Sequence, residues 1–523
     1  MLLARVAEVS REVSETSARS RKIGLLAELF AEAEPEDSPL VIAYLSGRLP
    51  QGRIGIGWSV LKEVAPPAVS PAEQPGLTIR RVDEVLTELA AVSGTGARAE
   101  RTRLVHALFA AATDEEQRLL LRLLSGEVRQ GALDAVALEA VARAATVPAV
   151  ELRRAVMLEG SLPPVAQAVL AEGAAALDRF TLRVGIPVQP MLAHTSASVT
   201  EAIAALGPCV VEEKLDGIRI QVHRDGEDVR VHTRSLDDIT DRLPEVVATA
   251  RAVPDDAFIL DGEVIALDPD TGRPVSFQSI AARVGSRTDV AGAHAGLPLT
   301  PVFFDVLAVG GEGLIDRPGH DRHEVLARLL PETQRVRRLV VSDPADPAQV
   351  EEAERFFTDT LARGHEGVLV KALDAPYVAG RRGRTWLKVK PVHTVDLVVL
   401  AVERGHGRRT GLLSNLHLGA RTAEGGFVML GKTFKGLTDR MLRWQTERLG
   451  ELAVEDDGFT MRVRPELVVE IAYDGLQTST RYPAGVTLRF ARVLRHRPDK
   501  AASEADTVEE IIGRGRGEPV GLA

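Results

Sequence analysis

The chain has 523 residues, 45% hydrophobic and 26% charged, with a formal net charge of −10 and one cysteine, Cys209. That length suits about three or four domains, and a lone cysteine excludes internal disulfides and any multi-cysteine zinc module, in keeping with a reducing cytosol. No apolar run approaches a membrane span, and the N-terminus, MLLARVAEVSREV, has no apolar core followed by a cleavage site, so a cytoplasmic protein with no membrane partner is expected.

Residues 1–185 read as helical, with apolar residues recurring at three and four. Thr113-Asp-Glu-Glu116 is a capping box for the run EEQRLLLRLLSG, and Gly126 is its stop. LSGRLPQG (45–52) and LSGEVRQG (124–131) echo each other at identical spacing. Both turns read equally as helix C-caps and as exposed amides that could hold two phosphates of one duplex. On the second reading Gly47, Gly126 and Arg129 are candidate DNA contacts.

A proline-punctuated link, IPVQPMLA (186–193), leads into a strand-rich region. There CVVEEKL, Asp216-Gly217 and IRIQVHR read as a hairpin, with Lys214 on a sheet edge. Ile218, Ile220 and Val222 should face one side; Arg219, Gln221 and His223 should face the other. Further strands are expected at 258–267, 301–309, 366–372 and 385–390, with helices near 237–251 and 347–363. This is an α+β unit with a largely antiparallel sheet. From about 395, five or so strands and one helix near 437–450 suggest a small OB-type barrel. The tail after Lys500 is acidic, then rich in Gly and Arg, and should fray. The expected division is a helical domain at 1–185, an α+β domain at 186–393, an OB domain at 394–510 and a flexible tail at 511–523.

The net acidity does not exclude nucleic acid, because binding depends on where positive charge sits. It clusters at 380–390 (GRRGRTWLKVK) and 488–500 (LRFARVLRHRPDK). The strand-rich region also holds the parts that lysine attack on a nucleotide phosphate requires. Lys214 offers the amine. Glu263, inside the apolar strand FILDGEVIAL, and Glu366 are costly there unless they face a site, and two carboxylates with phosphate oxygens and water suit magnesium. Lys388 and Lys390 alternate along TWLKVK and so share a face, with Arg382 nearby for a phosphate or carboxylate. Nearby cations favour the neutral, nucleophilic amine. Phe304 reads as core or as a purine stacker. His320 and His323 have no partner ligands nearby and do not read as a zinc site.

These motifs, in this order and over nearly the whole chain, resemble the ATP-dependent DNA ligases of the covalent nucleotidyltransferase superfamily. EEKLDGIR resembles the nucleophile motif and TRSLDD the ribose-contacting one; LDGE, FFDVL, HEGVLVK with YVAGRRGRTW, WLKVK and RFARVLRHRPDK resemble those that follow. The resemblance implies an all-α DNA-binding domain, an α+β nucleotidyltransferase domain (ATP-grasp-like, with antiparallel sheets) and a C-terminal OB barrel. It also implies roles: Lys214 carries AMP; Glu212 reads the adenine amino group; Phe304 stacks on the ring; Arg219 and Arg234 contact ribose or the DNA 5′-phosphate. Glu263 and Glu366 serve the metal, Lys388 and Lys390 the α-phosphate, and Arg382 nucleotide or nick phosphate. Arg492, Asp499 and Lys500 orient pyrophosphate. The implied cofactors are ATP and Mg2+, with Mn2+ as substitute. The implied partner is nicked duplex DNA, encircled by a monomer in repair, replication or recombination, with no sliding-clamp motif in view. RNA ligases and capping enzymes are the nearest rivals. The NAD-dependent ligases, which use a four-cysteine module, are disfavoured, and a non-catalytic nucleic-acid clamp is a further alternative.

Overall fold

The computed structural model describes the chain except residues 53, 65–67, 129–132, 286–295, 379–381, 407–408 and 516–523. Arg129 therefore lies outside the described residues, and so does the side chain of Arg382.

Helices run from Leu3–Glu15 to Leu162–Glu172, followed by a 3-10 turn at Gly173–Arg179. Each presents an apolar stripe to a common core; in the first, Leu3, Val6, Ala7, Ser10 and Val13 are buried at helical spacing. The capping box forms: Thr113 N–H donates to Glu116 Oε2 at 2.7 Å and Glu116 N–H to Thr113 Oγ1 at 3.5 Å.

The echoed turns are C-caps. Gly47 and Gly126 take φ of +66° and +71°. Gly47 and Arg48 donate to the carbonyls of Tyr44 and Ala43; Gly126 and Glu127 donate to Leu123 and Arg122. The Gly47 and Gly126 amides are thus committed to their own helices, as the C-cap reading has it. The two turns also abut, since a Cβ on Gly47 would sit 3.0 Å from the Val128 carbonyl.

The central unit carries two five-stranded sheets. The first has the order β1 (Leu192–Thr195), β10 (Arg382–Val389), β9 (Gly367–Ala372), β2 (Cys209–Lys214), β8 (Arg338–Val341). The second has β4 (Asp228–Thr233), β3 (Ile218–Asp225), β5 (Ala257–Ile265), β6 (Thr300–Val309), β7 (Glu312–Gly313). Every pairing is antiparallel except β1 with β10, so the antiparallel expectation holds with one parallel edge.

The expected hairpin does not form. β2 pairs with β8 and β9 in one sheet, and β3 pairs with β4 and β5 in the other. Asp216-Gly217 is a crossover between sheets, and Lys214 sits at the end of an inner strand rather than on an edge. Gly217 is required by close approach: a Cβ there would meet the Val264 carbonyl at 2.2 Å. The alternation along β3 does hold. Ile220 and Val222 are buried in the core of the second sheet, with Ile218 packed against it. On the other face, Gln221 and His223 accept hydrogen bonds from Val188 of the proline-rich link and from Gly185 just before it, at 2.7 and 2.9 Å.

The C-terminal unit contains a seven-stranded antiparallel sheet, a separate two-stranded ribbon and the helix Asp439–Glu451, capped by Thr438. Strand His393–Arg404 is its spine and pairs with three others. Among the described residues the pairing does not close into a barrel. The stretch expected to fray from 511 runs as helix from Val508 to Gly515, and Ile511 is fully buried in the sheet's core. That apolar contact explains why its first turn is held.

Candidate active site

The gap between the two sheets is a cleft of about 1230 Å3. Its walls include Lys214, Arg219, Arg234, Glu263, Phe304, Glu366, Lys388 and Lys390, so eight expected residues converge from seven strands and loops.

Lys214 reaches the cleft because β2 ends there. Its ammonium pairs with Glu366 Oε2, and Lys390 donates to Glu366 Oε1 at 2.7 Å. The positions of the two partners follow from pairing, since Lys214 sits opposite Gly367 in the ladder and Glu366 N–H donates to the Lys214 carbonyl. Burial opposes ionisation of Glu366, but Lys214 and Lys390 outweigh it and hold its carboxyl below the usual range. Glu366, expected as a metal ligand, therefore has both oxygens engaged by lysines in this arrangement.

Glu263 lies on the opposite wall, on β5. One of its oxygens accepts from Gly217 N–H at 3.0 Å. Burial pushes its carboxyl up, with Lys214 and the Gly217 amide pulling the other way. The crossover turn thus ties the Lys214 strand to this acid.

Arg219 forms a bidentate pair with Asp261, at 3.0 Å from Nε and 2.6 Å from NH2. NH1 donates to the Met191 carbonyl at 2.6 Å. Tyr377 OH also donates to Asp261 Oδ2 at 2.8 Å. Burial opposes the charge on Arg219, yet Asp261 raises its pKa above the ordinary arginine value. The guanidinium is a fixed positive wall 5.4 Å from the Phe304 ring centre.

Glu212, two residues before Lys214 on β2, is buried and lines a smaller adjoining recess with Phe304, Trp386 and Lys371. Lys371 Nζ is 2.5 Å from Glu212 Oε2. It also lies 4.6 and 4.2 Å from the Phe304 and Trp386 ring centres. This caged lysine was not anticipated; its signal was a lysine inside the apolar strand EGVLVKA.

The C-terminal basic segment divides. Arg489 and Phe490 line the Lys214 cleft, and Arg489 NH1 lies 3.3 Å from both Asp216 oxygens and 3.8 Å from Glu366. Arg492 reaches Asp474, itself a cleft residue, at 3.4 Å. Asp499 and Lys500 stay away from the cleft. Asp499 holds Arg497, which lowers its carboxyl to about 2, and Lys500 donates to Asp396 at 2.6 Å. Arg489, three residues before Arg492, was missed because an arginine at the end of a short strand carries no specific signal.

A lysine between two acids, beside a row of cations and an aromatic wall, defines an enzyme of the nucleotidyl-transfer class. Three stretches match known families: residues 190–390 the ATP dependent DNA ligase domain, 409–500 its C terminal region and 59–142 the DNA ligase N terminus. A protein of Streptomyces avermitilis called "Probable DNA ligase" is 67% identical over 512 residues, covering 98% of each chain. Another so named, from Anaeromyxobacter dehalogenans, is 56% identical and covers 98% of this chain and 99% of its own. The solved structures Pmar-Lig_PreS3 and Pmar-Lig_Pre share the fold at TM-scores of 0.64 and 0.65 and 18% identity, each covering 94% of this chain and 99% of its own. The chain belongs to the ATP-dependent DNA ligases. No helix among its described residues is long and apolar enough to cross a membrane.

Proposed function

We propose that Lys214 is the residue that carries AMP, and that the chain seals nicks in duplex DNA through three in-line displacements. The observation that carries this reading is the seat of Lys214 in the cleft, between Glu366 and Glu263 and beside Lys390. Lys214 Nζ, once free of its proton, attacks the α-phosphorus of ATP; the α–β anhydride breaks and pyrophosphate leaves. A 5′-phosphate oxygen at the nick then attacks the lysyl phosphoramide, and the P–N bond breaks as Lys214 regains a proton. Finally the 3′-hydroxyl attacks the activated 5′-phosphate and AMP departs.

Glu366 holds the resting ammonium and must release it. Incoming phosphates would draw Lys388 and Lys390 towards themselves and weaken the Glu366 pairing. Phe304 and the Arg219 wall would face the base and ribose, and Glu212 would read the adenine amino group once Lys371 yields it. Arg234 and Arg382 would meet ribose or the nick phosphate, and Arg492, Asp499 and Lys500 would orient pyrophosphate after the C-terminal unit moves. The donor set fits magnesium: Glu263 keeps a second carboxylate oxygen with no hydrogen bond among the described residues, and magnesium takes few protein ligands beside phosphate and water. Glu263 would hold it, joined by Glu366 when freed, and the ion would offset phosphate charge; Mn2+ would substitute. The units would be a helical DNA-binding domain at 1–185, an adenylation domain at 186–393 and an OB domain from 394, a monomer wrapping DNA in repair, replication or recombination.

The test is transfer of label from α-labelled ATP to the protein, then a chase with nicked duplex. Wild type should take label and lose it to DNA, and Lys214→Ala should take none. Labelled or sealing-competent Lys214→Ala would sink the assignment.

A further inference from the structure

A second cavity lies behind the nucleophile strand and encloses about 580 Å3. It shares only Glu213 and Leu215 with the Lys214 cleft. Those two residues flank Lys214, and strand alternation turns them to the opposite face. The floor is aliphatic, made by Leu215, Ile265, Val302 and Val336 packed as one cluster. The rim is cationic, with Arg273, Arg335, Arg337, Arg338 and Arg363 facing only two carboxylates, Glu213 and Glu332.

The ion pairing on this rim is incomplete. Buried Glu213 is approached by Arg337, Arg363 and His365 at 3.4, 3.5 and 3.7 Å, and Arg337 has a second, closer carboxylate partner in Asp359. Arg335 and Arg338 have no carboxylate within salt-bridge distance among the described residues, and Arg335 Nε is buried without a hydrogen bond. The Nδ1 atoms of His323 and His365 are buried and unsatisfied too. Burial, then Arg338 and Arg335, holds the His323 imidazole down to about 4. Guanidinium groups gathered without anions are costly, and such a cost persists where an anion completes the set.

We propose that this cavity is a second binding site for a small phosphate-bearing ligand, a nucleotide or a free polyphosphate chain. Guanidinium forks match phosphate oxygens in pairs. The volume is that of small-molecule sites, and the aliphatic floor suits a ring lying beneath the phosphates. A concave cup with an apolar base favours a compact ligand over a duplex backbone, which tracks an open surface. Ligand and ATP would then sit on two faces of one strand, each in contact with a neighbour of Lys214.

Equilibrium dialysis of the full chain with α,β-methylene-ATP, which Lys214 cannot cleave, tests the site. Wild type should saturate at about two equivalents, within the ordinary range of small-ligand sites. The double variant Arg335→Ala/Arg338→Ala should lose one equivalent and keep the other; Lys388→Ala/Lys390→Ala should do the converse. Should the first double variant fail to fold, Arg273→Glu on the exposed rim should weaken one equivalent about tenfold or more. Inorganic tripolyphosphate should displace the cavity equivalent, and complete displacement with no preference for the nucleotide identifies free polyphosphate as an equal occupant. One equivalent in wild type, loss of both with Lys388→Ala/Lys390→Ala, or indifference to tripolyphosphate overturns the proposal. So does weakened nicked-DNA binding by the cavity variants at unchanged nucleotide stoichiometry.

Discussion

The residues that the sequence marks by chemistry are those that converge. Lys214, Glu263, Glu366 and Lys390 meet because a charged side chain in an apolar strand is tolerated only where it faces a site or a partner. What the sequence does not show is who satisfies whom. Asp261 is the plainest case: it stands two residues before Glu263, yet it closes a buried bidentate pair with Arg219 and accepts from Tyr377. Asp261→Asn keeps the shape and leaves Arg219 without its counter-ion, so it should cost about 3–5 kcal/mol of stability. The urea midpoint at neutral pH reads this; a loss below about 1 kcal/mol would mean that water replaces the carboxylate. Lys371 was illegible for a related reason. Its position on a strand is obvious, but its cage of Phe304, Trp386 and Glu212 is assembled from three other strands.

At the scale of elements, helices and strands were largely legible because their signals are local. The capping box at Thr113 and the alternation along β3 needed nothing beyond their own windows. The hairpin was not legible: strand, Asp-Gly, strand reads the same whether the two strands pair together or with others. The partners that decide, β8, β9, β4 and β5, are supplied from elsewhere in the chain. The crossover makes its own prediction. Gly217→Ala drives a methyl into the Val264 carbonyl, so the turn must shift and carry Glu263 with it. Lys214 labelling should fall by about 100-fold or more, the scale of a misplaced reacting group, in a quench-flow assay, while far-UV dichroism is kept. Unchanged labelling would show that the turn does not position the site. The link between 185 and 188 adds a pH dependence. His223 is buried and its imidazole is pushed down to about 3 by burial, then by His232. Its Nδ1 accepts the Gly185 N–H, a role it loses on protonation. The unfolded chain, titrating near ~6.5, binds the proton that the folded chain refuses. Stability is therefore complete above about pH 6.5 and falls towards pH 3, by at most about 1.4 kcal/mol per pH unit for this group. His223→Gln should flatten the fall in unfolding temperature between pH 7 and pH 5; an unaltered slope would count against this origin.

For the whole molecule, the proposed mechanism asks one cleft to serve both nucleotide and DNA. Arg489 brings the C-terminal unit onto the turn after Lys214 through Asp216, and Gln278 contacts the Thr478 carbonyl at 3.5 Å nearby. In this closed arrangement Arg489 and Phe490 form part of the cleft wall, in the space that the proposed transfer of AMP from Lys214 to a nick requires. Yet Asp499 and Lys500, on the same unit, stay engaged with Arg497 and Asp396 away from the cleft. The proposed mechanism therefore calls for at least two orientations of the C-terminal unit. Trapping one of them separates the steps. Asp216→Cys/Arg489→Cys joined through two disulfides by a short bis-thiosulfonate reagent, with sulfinate as the leaving group, would hold the unit closed. The native Cys209 does not compete, because it is buried and its thiol is pushed up to about 11. The linked protein, loaded with labelled AMP beforehand, should keep its label when nicked duplex is added and release it to DNA only after reduction. The unlinked double variant should discharge at once, which controls for loss of the two charges. Discharge at equal rates before and after reduction would show that the nick reaches Lys214 without the C-terminal unit moving away.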